Sequence, residues 1–441
     1  MPAPESLRES LDSRLRTAQA ELRLPSVSAA VFREGAVLWQ QALGLAEVGP
    51  DEGATPEHQY RVGSITKTFT AVLVLQLRDA GELELTTPLA ELVAEAPAGP
   101  TVAEALSHLS GIQREPPGDV WETLELPDTA GLLASLADAE QVLAPSVAWH
   151  YSNLAYAVLG AAVSRLAGAP YEKLLRERIL EPLGLGRTTF APEQPFAQGY
   201  LVEPYSDGVR AEQHVESVEA AAALGQLWST AGDLARWGSF LAAGDERVLA
   251  RSTLDEMARV RTMVDAERWQ LAWGLGLGLY RREDRVFAGH DGAMPGFLAG
   301  LVVSRATGIG ASVLANTSAG GQPLGLALDL ASLALASLPA DQAPWRPDTG
   351  APPELEPLLG RWWSEGSELV FSVRGGRLQA RLVGGAPGRD ISWFEPDGED
   401  RWRVAEGREL GEILRVVRDD DGTPVRLYLA TYPVTRAVEV F

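Results

Sequence analysis

The spacing of apolar positions changes several times along the chain, and each change marks a different element. Leu7, Leu11, Leu15 and Leu22 recur at helical spacing, which predicts an amphipathic helix near the start. Ser6 and Glu9 stand at capping-box spacing at its beginning. Residues 26–32 and 37–45 then read as two strands joined by a Glu34-Gly35 turn. Residues 64–80 read as a helix that is apolar on most sides, carrying Phe69, Val72, Leu73, Leu75 and Leu77 and stopped near Gly81. A helix of that kind is buried between layers.

Residues 83 to about 260 carry mostly helical signals, broken by Pro- and Gly-rich loops; 101–109, 129–139, 154–166 and 171–180 are the clearest helices. Ser229-Thr230-Ala231-Gly232-Asp233 reads as a loop entering a further helix that ends at Leu241. Strand signals return at 269–280, where Trp273, Leu275, Leu277 and Leu279 alternate with Gly274, Gly276 and Gly278. Glycine at every second position gives a strand with one bare face, against which something packs closely. Residues 286–287 and 298–315 continue the strand pattern, and 323–338 read as a helix with Pro323 in its first turn. The expected fold class is therefore α+β, an antiparallel sheet flanked by helices with a helical subdomain inserted at about 83–260. Residues 339–353 hold five prolines and little apolar periodicity, which predicts a linker between a domain at 1–338 and another at 354–441. The second domain alternates with period two at 368–373, 378–383, 401–404, 413–418, 425–431 and 437–441, the pattern of a small all-β barrel or meander.

Composition narrows the partners. A net charge of −22 over 441 residues argues against nucleic acid or an anionic membrane surface. With no cysteine, disulfides, thiol catalysis and cysteine-ligated metals are excluded. The first residues are charged and lack the apolar core of a secretory signal, so a cytoplasmic location is expected. No apolar run is long enough to span a bilayer. His58, His108 and His214 show no metal-ligand spacing and read as structural or exposed, and no cofactor is expected.

One residue type then stands out. Of 38 basic residues only Lys67 and Lys173 are lysine. Arginine cannot be deprotonated in a protein, whereas a desolvated lysine can lose its proton and act as a base. Lys67 follows Ser64 by three residues, which places both side chains on one helix face. Ser64 opens that helix, where free N–H groups and the helix dipole favour developing negative charge. Asparagine is equally scarce, at Asn153 and Asn316, and Asn153 lies two residues after Tyr151. A third cluster, His290-Asp291-Gly292-Ala293, precedes the 298–304 strand as a segment expected at a sheet edge, with its backbone N–H groups lining a cleft.

Ser64-Ile65-Thr66-Lys67, Tyr151-Ser152-Asn153 and His290-Asp291-Gly292, in this order, resemble the serine β-lactamase-like and penicillin-binding-protein-like superfamily, in particular its class C-like branch. The resemblance covers about residues 20–338. Leu106-Ser107-His108-Leu109-Ser110-Gly111-Ile112, Pro182-Leu183-Gly184-Leu185 and Ser229-Thr230-Ala231-Gly232-Asp233-Leu234 also look like that family. The 354–441 segment resembles the lipocalin-like domains attached to some of its peptidases.

The resemblance implies a serine hydrolase forming an acyl-enzyme on Ser64, with Lys67 or Tyr151 as general base. It implies that Asn153 holds Lys67 and meets a substrate amide, and that the N–H groups of Ser64 and Ala293, with Gly292 beside them, bind the oxyanion. His290 departs from the lysine that many penicillin-recognising members carry there. A largely neutral histidine favours small peptides (D-configured ones included), amides or esters over β-lactams. β-Lactamase or DD-carboxypeptidase activity, or silent binding of peptidoglycan-like fragments, are the alternatives. Self-assembly into a homo-oligomer is compatible with this reading. The tryptophans at 121, 149, 228, 269 and 273 are expected in the core, with one or two lining the acyl pocket.

Overall fold

The computed structural model describes all residues except 1–2, 124–126, 214–221, 319, 339–344, 346, 348–349, 386–389 and 439–441. His214 and most of the expected linker lie outside the described residues. The chain divides into two compact units, Met1–Asp341 and Gln342–Phe441.

The first unit is built on a nine-stranded antiparallel sheet. Its order is Glu52–Gly53, Ala36–Glu47, Ser26–Arg33, Ile309–Ala315, Phe297–Val303, Arg285–Met294, Gly278–Arg282, Leu271–Trp273 and Thr262–Met263. Strands from the two ends of the unit meet in the middle, where Ala30 pairs with Ser312. The Ser26–Arg33 strand is buried on both sides, so its alternate residues feed two cores. Val27, Ala29 and Val31 pack with Leu7, Leu11 and Leu15 of the Glu5–Glu21 helix and with the Pro323–Ser337 helix. Ala30 and Phe32 join the other core, which holds Phe69 and Trp237, stacked with centroids 3.8 Å apart.

The helical insertion contains the Asn153–Ala167 and Ala231–Ala243 helices, together with short strands at Tyr200–Val202, Val209–Ala211 and Trp228–Ser229. Its first capping box is at Thr101 and Glu104, whose side chains each bond the other's backbone. The box expected at Ser6 does not form. Pro4, with φ −53°, starts the helix at Glu5, so Ser6 already lies in the first turn.

Residues 269–280 are not one strand. Leu271–Trp273 and Gly278–Arg282 form a hairpin, and Gly274 N donates to the Leu277 carbonyl at 2.8 Å. The glycines are there for close approach at a turn. Gly276 has φ +76°, and a β-carbon on it would lie 2.4 Å from that of Ala71 in the Thr66–Asp79 helix.

The second unit is an eight-stranded antiparallel sheet whose neighbours follow chain order from Gly360–Ser364 to Tyr432–Val434. Trp363 and Thr435 exchange backbone hydrogen bonds of 2.8 and 2.9 Å, which nearly closes the sheet into a barrel. Gly360–Ser364, Ile391–Pro396 and Tyr432–Val434 are strands that the alternation rule did not reveal. The first has adjacent tryptophans, the second ends in proline and the third is only three residues long. Ala437 and Val438 lie beyond the last strand, and the rest of the strand expected at 437–441 is outside the described residues.

Candidate active site

The Gly63–Ile65 turn delivers Ser64 to the start of the Thr66–Asp79 helix. Gly63 holds φ +51°, a left-handed conformation that favours glycine. Lys67, one turn on, is fully buried. Its Nζ donates to Ser64 Oγ at 3.0 Å and to the Leu224 carbonyl at 2.7 Å. The same nitrogen lies 5.1 Å from the ring centre of Tyr151 and 5.7 Å from that of Tyr156. Burial pushes the ammonium pKa down to about 7, against the pull of Glu115 and Asp291 in the opposite direction.

Tyr151 enters from the N-terminal side of the Asn153–Ala167 helix, which Ser152 caps by accepting from Ala155 N at 3.0 Å. The Tyr151 hydroxyl is hydrogen-bonded to Ser64. Burial raises its pKa, and the bond to Ser64 lowers it by less. Beneath it lies His108, with ring centres 4.2 Å apart. Ser152 N donates to His108 Nδ1 at 3.1 Å, which leaves the ring proton on Nε2. His108 is thus a buried support for Tyr151, a role that its lack of metal-ligand spacing did not disclose.

Asn153 lies beside the serine, with a different partner from the one expected. Its Nδ2 donates to Glu115 Oε1 at 2.7 Å, and its Oδ1 has no hydrogen-bond partner. Asn153 therefore does not hold Lys67. The lysine is already engaged by Ser64 and Leu224, and a carboxylate is the stronger acceptor for the amide.

His290 belongs to the Arg285–Met294 strand. The segment 290–293 stands at a local sheet edge, as expected, because it pairs with Phe297–Val303 on one side while the pairing with Gly278–Arg282 stops at Gly289. His290 is fully buried, with Nδ1 2.5 Å from the Asp291 carbonyl oxygen and Nε2 without a partner. Desolvation carries its pKa down to about 4, so the ring is neutral at pH 7.

Two glycines let this strand touch the nucleophile turn. A β-carbon on Gly292 would stand 1.9 Å from the Val62 carbonyl oxygen and 3.2 Å from Ser64 N. The backbone of Gly292 and Ala293 is thereby laid against that of Gly63 and Ser64. Ser64, Tyr151, Asn153, Gly292 and Ala293 all line one cavity of about 960 Å³, with Lys67 and His290 buried at its base.

Trp149 and Trp273 form part of the cavity wall, and Trp228 is core; Trp269 is 63% exposed, contrary to expectation, and the Trp121 side chain is not described. Sequence reading missed the charged lining. Glu115, Glu122, Glu212 and Asp291 face Arg114 there, and Arg114 lies 4.9 Å from the centre of the Tyr151 ring. Glu115 and Glu212 lie outside helices and strands and carry no periodic signal, and the only available cue was that Arg114 and Glu115 follow Ser110-Gly111-Ile112. Among the described residues no cluster of His, Asp and Glu is arranged to hold a metal, and no helix is long and apolar enough to cross a membrane.

The stretch from Ser64 to Ala293, which supplies the serine, the buried amine and the tyrosine hydroxyl of this cleft, lies within a known family. The family model described as Beta-lactamase covers residues 11–336. The chain belongs to the beta-lactamase family. A second model, a domain of unknown function (DUF7586), covers residues 351–436 of this beta-lactamase-family chain. Penicillin-binding protein 4 of Amycolatopsis lactamdurans is 30% identical over 374 residues, covering 79% of this chain and 95% of its own. The octameric penicillin-binding protein homologue from Pyrococcus abyssi has the same fold, with a TM-score of 0.69 at 24% identity, covering 97% of this chain and 99% of its own. A D-stereospecific amidohydrolase from Streptomyces superposes with a TM-score of 0.62 at 26% identity, covering 74% of this chain and 98% of its own. Like the peptidases, amidases and esterases around it, this family member is a serine hydrolase.

Proposed function

We propose that the enzyme hydrolyses small amides, short peptides and esters that carry a free ammonium group, through an acyl-enzyme on Ser64. The observation that carries this reading is Lys67, fully buried and 3.0 Å from the serine oxygen. With a pKa near neutrality, a large share of Lys67 is unprotonated at pH 7 and can take the hydroxyl proton as Ser64 Oγ bonds to the substrate carbonyl carbon. The Tyr151 hydroxyl, its pKa raised, stays protonated and serves as the relay. The carbonyl electrons move onto oxygen, facing the N–H groups of Ser64 and Ala293, each worth about 3–4 kcal/mol in a hole of this kind. Collapse breaks the C–N or C–O bond, and the proton held by Lys67 passes through Tyr151 to the leaving group. Water then repeats the sequence on the ester and frees Ser64.

Four carboxylates against one arginine around the cavity favour a cationic substrate. The neutral His290 offers no positive charge to a substrate carboxylate, which weighs against penicillin-like substrates. Asn153 lines the cavity, and its Oδ1 is buried without a partner, so the amide must turn outward for that oxygen to accept from a substrate N–H. The D-stereospecific relative supports D-configured residues on the acyl side, and the octameric relative supports self-assembly, which sedimentation velocity would reveal.

The test is covalent labelling with a fluorophosphonate, followed by a panel of D- and L-alanine p-nitroanilides, their N-acetyl forms, a butyrate ester and nitrocefin. Labelling confined to Ser64 and turnover of the free-amine substrates are expected. A folded protein that takes no label would end the acyl-enzyme reading.

A further inference from the structure

We propose that the C-terminal unit has a binding site of its own, in the open end of its barrel, for one small apolar molecule with a cationic head. An eight-stranded barrel has an interior just wide enough to be filled by side chains or to hold one small ligand. This barrel does one at each end. At one end Trp362, Phe371 and Phe394 fill the interior, with Phe371 stacked on Phe394 at 5.9 Å and edge-on to Trp362 at 6.3 Å. The Trp362 indole donates to the Leu358 carbonyl at 2.7 Å and anchors that end.

Toward the other end the inward positions become small or short. Ala380 and Ser392 are paired across adjacent strands, and Leu369 pairs with Leu382. The space they leave is a cavity of about 440 Å³, walled also by Leu429 and Val434. That volume is within the range of small-molecule sites, and a mostly apolar wall with a few polar groups at one end is their usual character.

The rim decides the head group. Glu365, Asp390, Glu409 and Glu412 stand around the opening, against Arg408 alone among its described residues. Arg408 lies 3.7 Å from Glu409 Oε1 and offsets part of that charge. Glu409 is half-buried, and its Oε2 accepts from the Ser392 hydroxyl at 3.2 Å, which fixes one carboxylate at the edge of the apolar floor. An alkyl or aryl ammonium satisfies both parts, with its tail on Leu369, Ala380 and Leu382 and its charge among the carboxylates. The matching carboxylate would meet four like charges. The proposal rests on the barrel alone and is independent of the chemistry at Ser64.

The experiment uses the full chain with Ser64 first blocked by a fluorophosphonate, and n-octylamine and n-octanoate as probes. Calorimetry should show one octylamine site per chain, with octanoate at least ten times weaker. Hydrogen exchange should slow on octylamine addition in the Ser367–Arg374 and Arg377–Leu382 strands. Ala380→Trp should abolish this binding and Glu409→Gln weaken it about fivefold. If Ala380→Trp has lost its near-ultraviolet circular dichroism, Leu429→Phe takes its place. Exchange that slows only in the first unit, or nowhere, overturns the site. Equal affinity for amine and carboxylate overturns the choice of head group.

Discussion

A β-carbon on Gly63 would stand 2.6 Å from the backbone nitrogen of Ala293. The nucleophile turn and the Arg285–Met294 strand therefore touch backbone to backbone, as two N–H groups aimed at one oxygen require. Gly63→Ala forces them apart and also strains a left-handed residue. We expect kcat to fall at least about 100-fold with KM little changed. Stopped-flow acylation with an activated ester checks this, and unaltered acylation would remove Ala293 from the oxyanion site.

The protonation state of Lys67 sets the pH dependence. As the base it works unprotonated, so kcat/KM should rise with pH through an inflection near its pKa of about 7. Lys67→Arg retains charge and cannot release it, so activity should fall at least about 1000-fold without recovering at high pH. A pH–rate profile on a neutral ester gives the answer. A flat profile from pH 5 to 9 would exclude Lys67 as the base.

The same burial makes a prediction for stability. Below pH 7 Lys67 is protonated both folded and unfolded, and the full cost of burying an ammonium is present. Between about 7 and the ordinary lysine value, the unfolded chain still binds a proton that the folded chain has released. Stability contributed through this group therefore rises with pH across that window. Lys67→Met removes the dependence, so its Tm relative to wild type should climb as pH is lowered from 10 to 6. Differential scanning calorimetry at four pH values suffices. The Leu224 carbonyl left without its donor is a constant penalty and does not alter the trend.

Glu115 is the carboxylate that binds Asn153 and raises the Lys67 pKa. Glu115→Gln should raise KM about tenfold for free-amine substrates and leave their N-acetyl forms within about twofold. It should also move the activity inflection to lower pH, because a negative charge near the lysine is gone. Equal effects on both substrate series would assign Glu115 to scaffolding.

Much of this site was legible because its chemistry is carried by rare residue types at fixed spacing. Lys67 is conspicuous in a chain that otherwise uses arginine, and the turn of helix between it and Ser64 is local geometry. Tyr151 and Asn153 were legible for the same reason. What was hidden depends on tertiary partners. Nothing in the order of residues says that Glu115 captures the Asn153 amide, or that His108 lies beneath Tyr151. The 290–293 segment was legible as a sheet edge, but its close approach to the Val62 carbonyl, which Gly292 allows, was not. The run at 269–280 misled. Its alternation mimics a continuous strand, yet Gly276 at φ +76° belongs to a turn. In the C-terminal unit the longer strands followed the period-two rule, and the short or proline-ended ones did not.

The Trp363–Thr435 bridge has a bearing on how copies of this protein can meet. Open sheets offer unpaired amides that recruit a neighbour's strand, and such recruitment is the usual start of runaway aggregation. Here Trp363 and Thr435 spend one pair of those amides on each other across the seam, which blunts this route. Assembly through this unit is thereby steered towards side chains, which makes it adjustable by single surface substitutions.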